Sequence, residues 1–274
     1  MRHLVFLLFA LAGCASLGDR SPLAPLEDAL LYQPTPVTLA DLQATRAART
    51  FEFEEARFTA EDGARLTGLF APHENPRAIA LFAHGNAGNV HTWMETARDL
   101  RDRHGLAVLL FDYRGYGDSE GTPSEQGLIQ DARAARKWLA ERTGVAETDI
   151  VLIGRSLGGA VLTQLAADDG ARALVLQSTF TSAPDVGRVH ASWLLPRLNM
   201  RNRFESLKRI PEYEGPLLVS HGDADEVIPF EHGRKLHAAA PGPKRFVTIA
   251  GGRHNDPPGE DYARALDEFL DALP

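Results

Sequence analysis

Ile150-Val151-Leu152-Ile153-Gly154-Arg155-Ser156-Leu157-Gly158-Gly159 runs from four aliphatic residues, through glycine and serine, into a stretch with helical spacing. Four unbroken aliphatics read as a buried strand, and residues 157–167 read as a helix. A turn this abrupt strains the backbone of its central residue and lifts the Ser156 hydroxyl above the sheet edge. Side chains at 154 and 158 would collide there, so both positions call for glycine. The helix aims its first amides at the same point, where they favour a developing negative charge. Leu157, directly after the serine, supplies one such amide. The rival reading is a plain glycine-serine turn, and the remainder of the chain must decide between the two.

Working outward, further apolar runs lie at 78–83, 106–111, 173–176, 217–219 and 246–249. They do not alternate, which suits a parallel sheet covered on both faces. Between them, Leu128, Ala132, Ala135, Trp138 and Leu139 form a helical stripe that opens at Ser124 and closes at Gly144. Residues 262–270 carry a similar pattern. Repeated strand-helix-strand units predict an α/β architecture, a doubly wound and mostly parallel sheet with right-handed crossovers. Upstream, Phe51 to Glu54 alternates with period two, and the Asp62-Gly63 turn leads into 65–70, so a hairpin is expected. Residues 179–214 are long for one crossover and predict a short lid-like insertion that includes Trp193, Leu194, Leu195, Leu198, Met200 and Phe204. One main domain is expected over 51–274.

A serine hydroxyl is a poor nucleophile until a base takes its proton, and that base is commonly a histidine oriented by a carboxylate. In the chain order serine, acid, histidine, two loops after strands qualify. One is His221-Gly222-Asp223-Ala224-Asp225-Glu226-Val227-Ile228-Pro229, which offers Asp223 and Asp225. The other is Ala250-Gly251-Gly252-Arg253-His254-Asn255-Asp256. Of ten histidines, His254 alone follows the last strand; Asp256 is too close to it in the chain to be the first choice of orienter. His84 and His221 each precede a glycine at a strand end and are expected to brace loops.

Together with Ala83-His84-Gly85-Asn86-Ala87-Gly88-Asn89 and Phe111-Asp112-Tyr113-Arg114-Gly115-Tyr116-Gly117-Asp118-Ser119, these segments resemble the α/β-hydrolase superfamily over roughly 50–272. Within it, the chain is similar to the branch of alpha/beta-hydrolase domain and serine aminopeptidase-like serine hydrolases, which includes protein depalmitoylases. The resemblance implies an α/β-hydrolase fold with Ser156 as nucleophile, Asp225 as acid and His254 as base. It also implies an oxyanion hole formed by the amides of Asn86 and Leu157. Asp112 and Arg114 are expected to pair and hold neighbouring loops. No cofactor and no metal are required. The expected substrate is a small acyl ester or thioester, or an acylated molecule such as a palmitate conjugate. Amide hydrolysis by an aminopeptidase-like enzyme is the second reading, and an idle scaffold on the same fold is the third. Trp93, Met94 and the apolar residues of 193–198 either line an acyl pocket or only cover the core.

Composition narrows the partners. The chain has 274 residues, with 37 acidic against 29 basic side chains and a net charge of −8. Such a surface repels phosphate backbones, so no nucleic-acid partner is expected. One cysteine, Cys14, excludes an intrachain disulfide and a cysteine-built metal cluster. Arg2 and His3 precede a short apolar run that ends Leu11-Ala12-Gly13-Cys14, which reads as a signal segment over 1–13, too short to span a bilayer. It resembles the bacterial lipobox, which implies acylation of Cys14 and a membrane tether. Ser16 at the sorting position implies an outer-membrane lipoprotein facing the periplasm. Residues 14–50, with Pro22, Pro25, Pro34 and Pro36, are expected to form a tether holding one short helix.

Overall fold

The computed structural model describes residues 24–38, 53–190 and 200–274. Cys14 and the segment Trp193 to Leu198 lie outside the described residues, as do Phe51 and Glu52.

Eight strands form one sheet: β1 Glu54–Thr59, β2 Arg65–Ala71, β3 Ala78–Ala83, β4 Leu106–Phe111, β5 Val151–Arg155, β6 Ala173–Gln177, β7 Leu217–Gly222 and β8 Lys244–Ile249. Their order across the sheet is β8-β7-β6-β5-β3-β4-β2-β1. All neighbours from β4 to β8 pair in parallel, while β2 runs antiparallel to both β1 and β4. The expected doubly wound α/β sheet is therefore present, with a hairpin at one edge. The hairpin pairs Thr59 with Arg65 across a turn in which Gly63 has φ 91°, a conformation that favours glycine.

The helices are α1 Ala24–Leu31, α2 Val90–Asp102, α3 Glu125–Thr143, α4 Leu157–Asp169, α5 Ala183–His190, α6 Ser206–Arg209, α7 Glu231–Ala239 and α8 Gly259–Asp271. Ser124 caps α3 by accepting from the Gly127 amide, and Gly144 closes it with φ 74°. The strands β3, β4, β5 and β6, buried throughout except at Arg155, divide their apolar side chains between two clusters. One cluster joins them to Leu128, Leu139, Val161 and Leu165 of α3 and α4. The other joins them to Val90, Met94 and Leu100 of α2 and to Leu266 and Phe269 of α8. Met94 thus belongs to the core rather than to a pocket wall.

Helix α2 went unread in the sequence although Val90, Met94, Ala97 and Leu100 line its buried face. Its polar majority hides that stripe, and its start is fixed by a reciprocal cap between Asn89 and Thr92. The expected Asp112–Arg114 pair is not what the structure contains. Arg114 instead forks onto Asp131 of α3, with Nη2 to Oδ1 at 2.8 Å, and onto Asp62 of the hairpin turn, with Nη1 to Oδ2 at 2.6 Å. Asp112 turns the other way, because its Oδ1 accepts the Val90 amide at the start of α2 at 2.9 Å.

Of the insertion, α5, α6 and the segment from Met200 onward are described. Met200 and Phe204 are buried, and Phe204 meets Phe180 edge to face with ring centres 6.4 Å apart. Within the stretch read as a tether, residues 24–38 lie against the domain: Gln33 and Pro34 pair in parallel with Ala87 and Gly88.

Candidate active site

At the end of β5 the chain turns into α4 through Ser156, whose backbone has φ 52° and ψ −117°. A serine pays strain to sit there, so neighbours must enforce it. Its amide donates to the Gln177 carbonyl on β6 at 2.9 Å. Its carbonyl accepts from the Thr179 hydroxyl at 2.7 Å and from the Gly159 amide at 3.1 Å. The glycines clear the space. A Cβ on Gly158 would lie 2.0 Å from the Ala83 carbonyl oxygen, and one on Gly154 would lie 2.6 Å from that of Gly158. The collision expected from the sequence is therefore real, and part of it is with the neighbouring strand β3.

The loops after β7 and β8 deliver the other two side chains. His254 Nδ1 is 2.8 Å from Asp225 Oδ2, and since a carboxylate only accepts, Nδ1 carries the hydrogen. Nε2 is then free to accept the Ser156 hydroxyl, whose Oγ lies 3.2 Å away. All three residues are less than 10% exposed. The structure thus brings together Ser156, Asp225 and His254, while the two competing acids go elsewhere. Asp223 Oδ1 accepts the Gly251 amide, and Asp256 Oδ2 accepts the Arg253 amide.

Asp225 is held on several sides. Oδ1 accepts the amides of Val227 at 2.9 Å and Ile228 at 2.8 Å, and Oδ2 also lies 3.3 Å from His221 Nε2. Burial raises its pKa, but hydrogen bonds from His221, His254 and the Ile228 amide outweigh burial and hold the carboxyl well below the usual carboxylate range. His221 donates to the Ile228 carbonyl at 2.8 Å, and His84 Nδ1 donates to the Gly85 carbonyl at 2.7 Å; both brace loops as expected.

Between β3 and α2, Gly85 faces the serine: a Cβ there would stand 3.7 Å from Ser156 Cβ. Asn86 follows directly, half-buried, and Leu157, next after Ser156 in the chain, opens α4.

Residues 81–205 match the family profile of the α/β-hydrolase fold. The "alpha/beta hydrolase domain-containing protein WAV2" of Arabidopsis thaliana is 34% identical over 273 residues, spanning 91% of this chain and 89% of that protein. The chain belongs to the α/β-hydrolase family. A Mycobacterium tuberculosis protein is 44% identical to this α/β hydrolase over 199 residues, 72% of this chain and 70% of the relative. Among solved structures, an esterase of Pyrococcus furiosus shares the fold at a TM-score of 0.69 and 18% identity, covering 89% of this chain and 98% of the esterase.

One supporting residue of this hydrolase, Arg155, was not singled out from the sequence. Arg155 Nη2 donates to the carbonyls of His254 at 2.7 Å and Asp256 at 3.2 Å, and its guanidinium lies 5.6 Å from the Trp93 ring. The residue next to the nucleophile thus holds the loop that carries the imidazole. Trp93 in turn stacks beside His84 and donates to the Ala87 carbonyl at 3.1 Å. Among the described residues no group of three or more His, Cys, Asp or Glu could hold a metal ion, and no described helix is long and apolar enough to cross a membrane.

The Asp225 cradle makes a signed prediction about stability. Its folded-state pKa is depressed, so its contribution is fully present above the unfolded carboxylate value, about 3.9, and is lost as pH falls toward the folded value. The stability gap between wild type and Asp225→Asn should therefore be constant from pH 7 to 5. Below about pH 4 it should shrink by up to about 1.4 kcal/mol per pH unit. Urea unfolding at pH 7, 5 and 3 measures it; a gap that is unchanged at pH 3 contradicts the cradle.

Proposed function

We propose that this α/β hydrolase is a serine hydrolase that cleaves acyl ester or thioester bonds through an acyl-enzyme. The observation that carries the reading is the unbroken relay from Asp225 Oδ2 to His254 Nδ1 at 2.8 Å, and from His254 Nε2 to Ser156 Oγ at 3.2 Å. Those distances are within reach for proton transfer, and the imidazole has the tautomer that a base needs.

Ser156 attacks the carbonyl carbon while His254 takes its proton. Asp225, ionised and held by its amides, fixes the ring and stabilises the imidazolium. The oxyanion develops between the amides of Asn86 and Leu157, each such donor contributing about 3–4 kcal/mol to lowering the barrier. His254 returns the proton to the leaving oxygen or sulfur, and the acyl group stays on Ser156. Water, deprotonated by the same imidazole, then releases the acid and restores the hydroxyl. Bond changes balance with no cofactor.

The esterase that shares the fold favours oxygen esters as the first substrate class to try. In the same reading, residues 1–13 are removed, Cys14 carries the acyl chains, and the enzyme works tethered to the outer membrane on its periplasmic side. The support is the position of the chain's one cysteine directly after Leu11-Ala12-Gly13.

An alkyl fluorophosphonate should label wild type and leave Ser156→Ala unlabelled, with kcat of that variant down by at least about 10³-fold. Equal labelling of the alanine variant contradicts the assignment. Across nitrophenyl esters of graded chain length and an aminoacyl anilide, esters should be cleaved faster; preference for the anilide overturns the ester reading. Fractionation of a Gram-negative host should find wild type in the membrane and Cys14→Ser released, and a variant that remains with the membrane contradicts the lipid tether.

A further inference from the structure

The N-terminal arm, residues 32–36, reaches the loop that carries Asn86. The Gln33 amide donates to the Asn86 carbonyl at 3.0 Å, and the Tyr116 hydroxyl donates to the same oxygen at 2.9 Å. Beside them Gln33 and Pro34 pair in parallel with Ala87 and Gly88. The arm continues against the far end of this loop. Asn89 Nδ2 donates to the carbonyls of Thr35 at 3.3 Å and Pro36 at 3.5 Å, while its Oδ1 caps α2 by accepting the His91 amide at 3.0 Å. The Gly117 amide also donates to the Thr35 carbonyl, at 3.2 Å. The loop from Gly85 to Asn89 is thus clamped between the arm and the Tyr116–Gly117 turn, with Ser156 on its inner side.

The upstream end of the arm is anchored as well. Tyr32 donates to Asn202 Oδ1 at 3.0 Å, and the buried Glu27 carboxylate accepts the Asn202 amide at 2.6 Å and the Arg201 amide at 3.1 Å. The arm therefore runs from the Arg201–Asn202 part of the insertion to the loop beside Ser156.

We propose that Gln33, through its backbone N–H, and Tyr116, through its hydroxyl, are positioning residues that hold the Asn86 peptide in register for the oxyanion, so that the N-terminal extension is a working part of the active site. The inference deepens the serine-hydrolase reading and rests on it. The physical reason is that an oxyanion donor acts only when fixed before the reaction, and a short glycine-flanked loop cannot fix itself. A carbonyl held by two donors fixes the 86–87 peptide plane and with it the Asn86 Cα, which narrows the swing left to the 85–86 plane that carries the Asn86 N–H. Burial pushes the pKa of the Tyr116 hydroxyl up, so it remains a donor throughout the working pH range. Its ring packs against His84 and Tyr113, a contact that phenylalanine preserves.

The test uses the full chain as wild type, Tyr116→Phe, Gln33→Pro, the double variant and Ser156→Ala. Each is assayed for turnover of a short nitrophenyl ester, for the second-order rate of fluorophosphonate labelling, and for urea unfolding. Each single variant should lose about tenfold in kcat with KM changed less than about twofold, because the lost interaction acts in the transition state. Phosphonylation, which builds a similar oxyanion, should slow in parallel, and the double variant should lose more than either. Single variants that turn over and label like wild type overturn the brace, as does a loss of rate that only tracks the loss of folded protein. Wild type without Ser156-dependent turnover or labelling sinks the serine-hydrolase reading, and the brace falls with it.

Discussion

The backbone of one residue constrains the rest of the molecule. Ser156 sits at φ 52°, where an L-residue is strained, and it stays there because its neighbours leave no alternative. Gln177 on β6 takes its amide, Thr179 and Gly159 take its carbonyl, and Gly154 and Gly158 vacate the volume that side chains would fill. Relaxing the turn would break bonds to β6 and drive α4 into β3. The strain is therefore held by the centre of the sheet, where the strands are buried up to Arg155 and least able to move.

From that fixed point the loops are tied to one another rather than to solvent. The acid loop and the histidine loop share hydrogen bonds from the Ala224 amide to the Gly252 carbonyl and from the Gly251 amide to Asp223. A Cβ on Gly222 would lie 2.1 Å from the Gly252 carbonyl oxygen, so the two loops approach as closely as backbones can. Arg155 then links the elbow to the His254 loop, and Trp93 links Arg155 to the Asn86 loop. Side chains 69 and 29 positions apart in sequence meet within hydrogen-bonding distance because the loops that carry them are tied together at one end of the sheet.

The parts of this arrangement legible in the sequence are those that a local rule dictates. Unbroken apolar runs marked β3, β4, β5, β6 and β7, since strands buried on both faces need no polar alternation; β8, read by the same rule from 246–249, is an edge strand with Lys244, Arg245 and Thr248 exposed. Gly154 and Gly158 betrayed the elbow because only glycine fits. Ser124 and Gly144 bounded α3 to the residue. What stayed hidden depends on long-range partners. Arg114 chose Asp131 and Asp62 over Asp112 because of where α3 and the hairpin turn come to lie. Helix α2 was masked by its polar face. The contact of Gln33 with Asn86 uses a main-chain N–H, which every residue but proline possesses, so its side chain carries no signal. Arg155 stood inside the motif, yet its partner is the carbonyl of a residue 99 positions on.

In the proposed mechanism, charge developing on a substrate oxygen is received by the amides of Asn86 and Leu157 while Ser156 is bonded to the acyl centre. A crystal structure of the enzyme after reaction with an alkyl fluorophosphonate tests it directly. The account predicts phosphorus bonded to Ser156 Oγ and the phosphoryl oxygen about 2.7–3.1 Å from both amide nitrogens. Phosphorus on another residue, or an oxygen turned away from both amides, would contradict it.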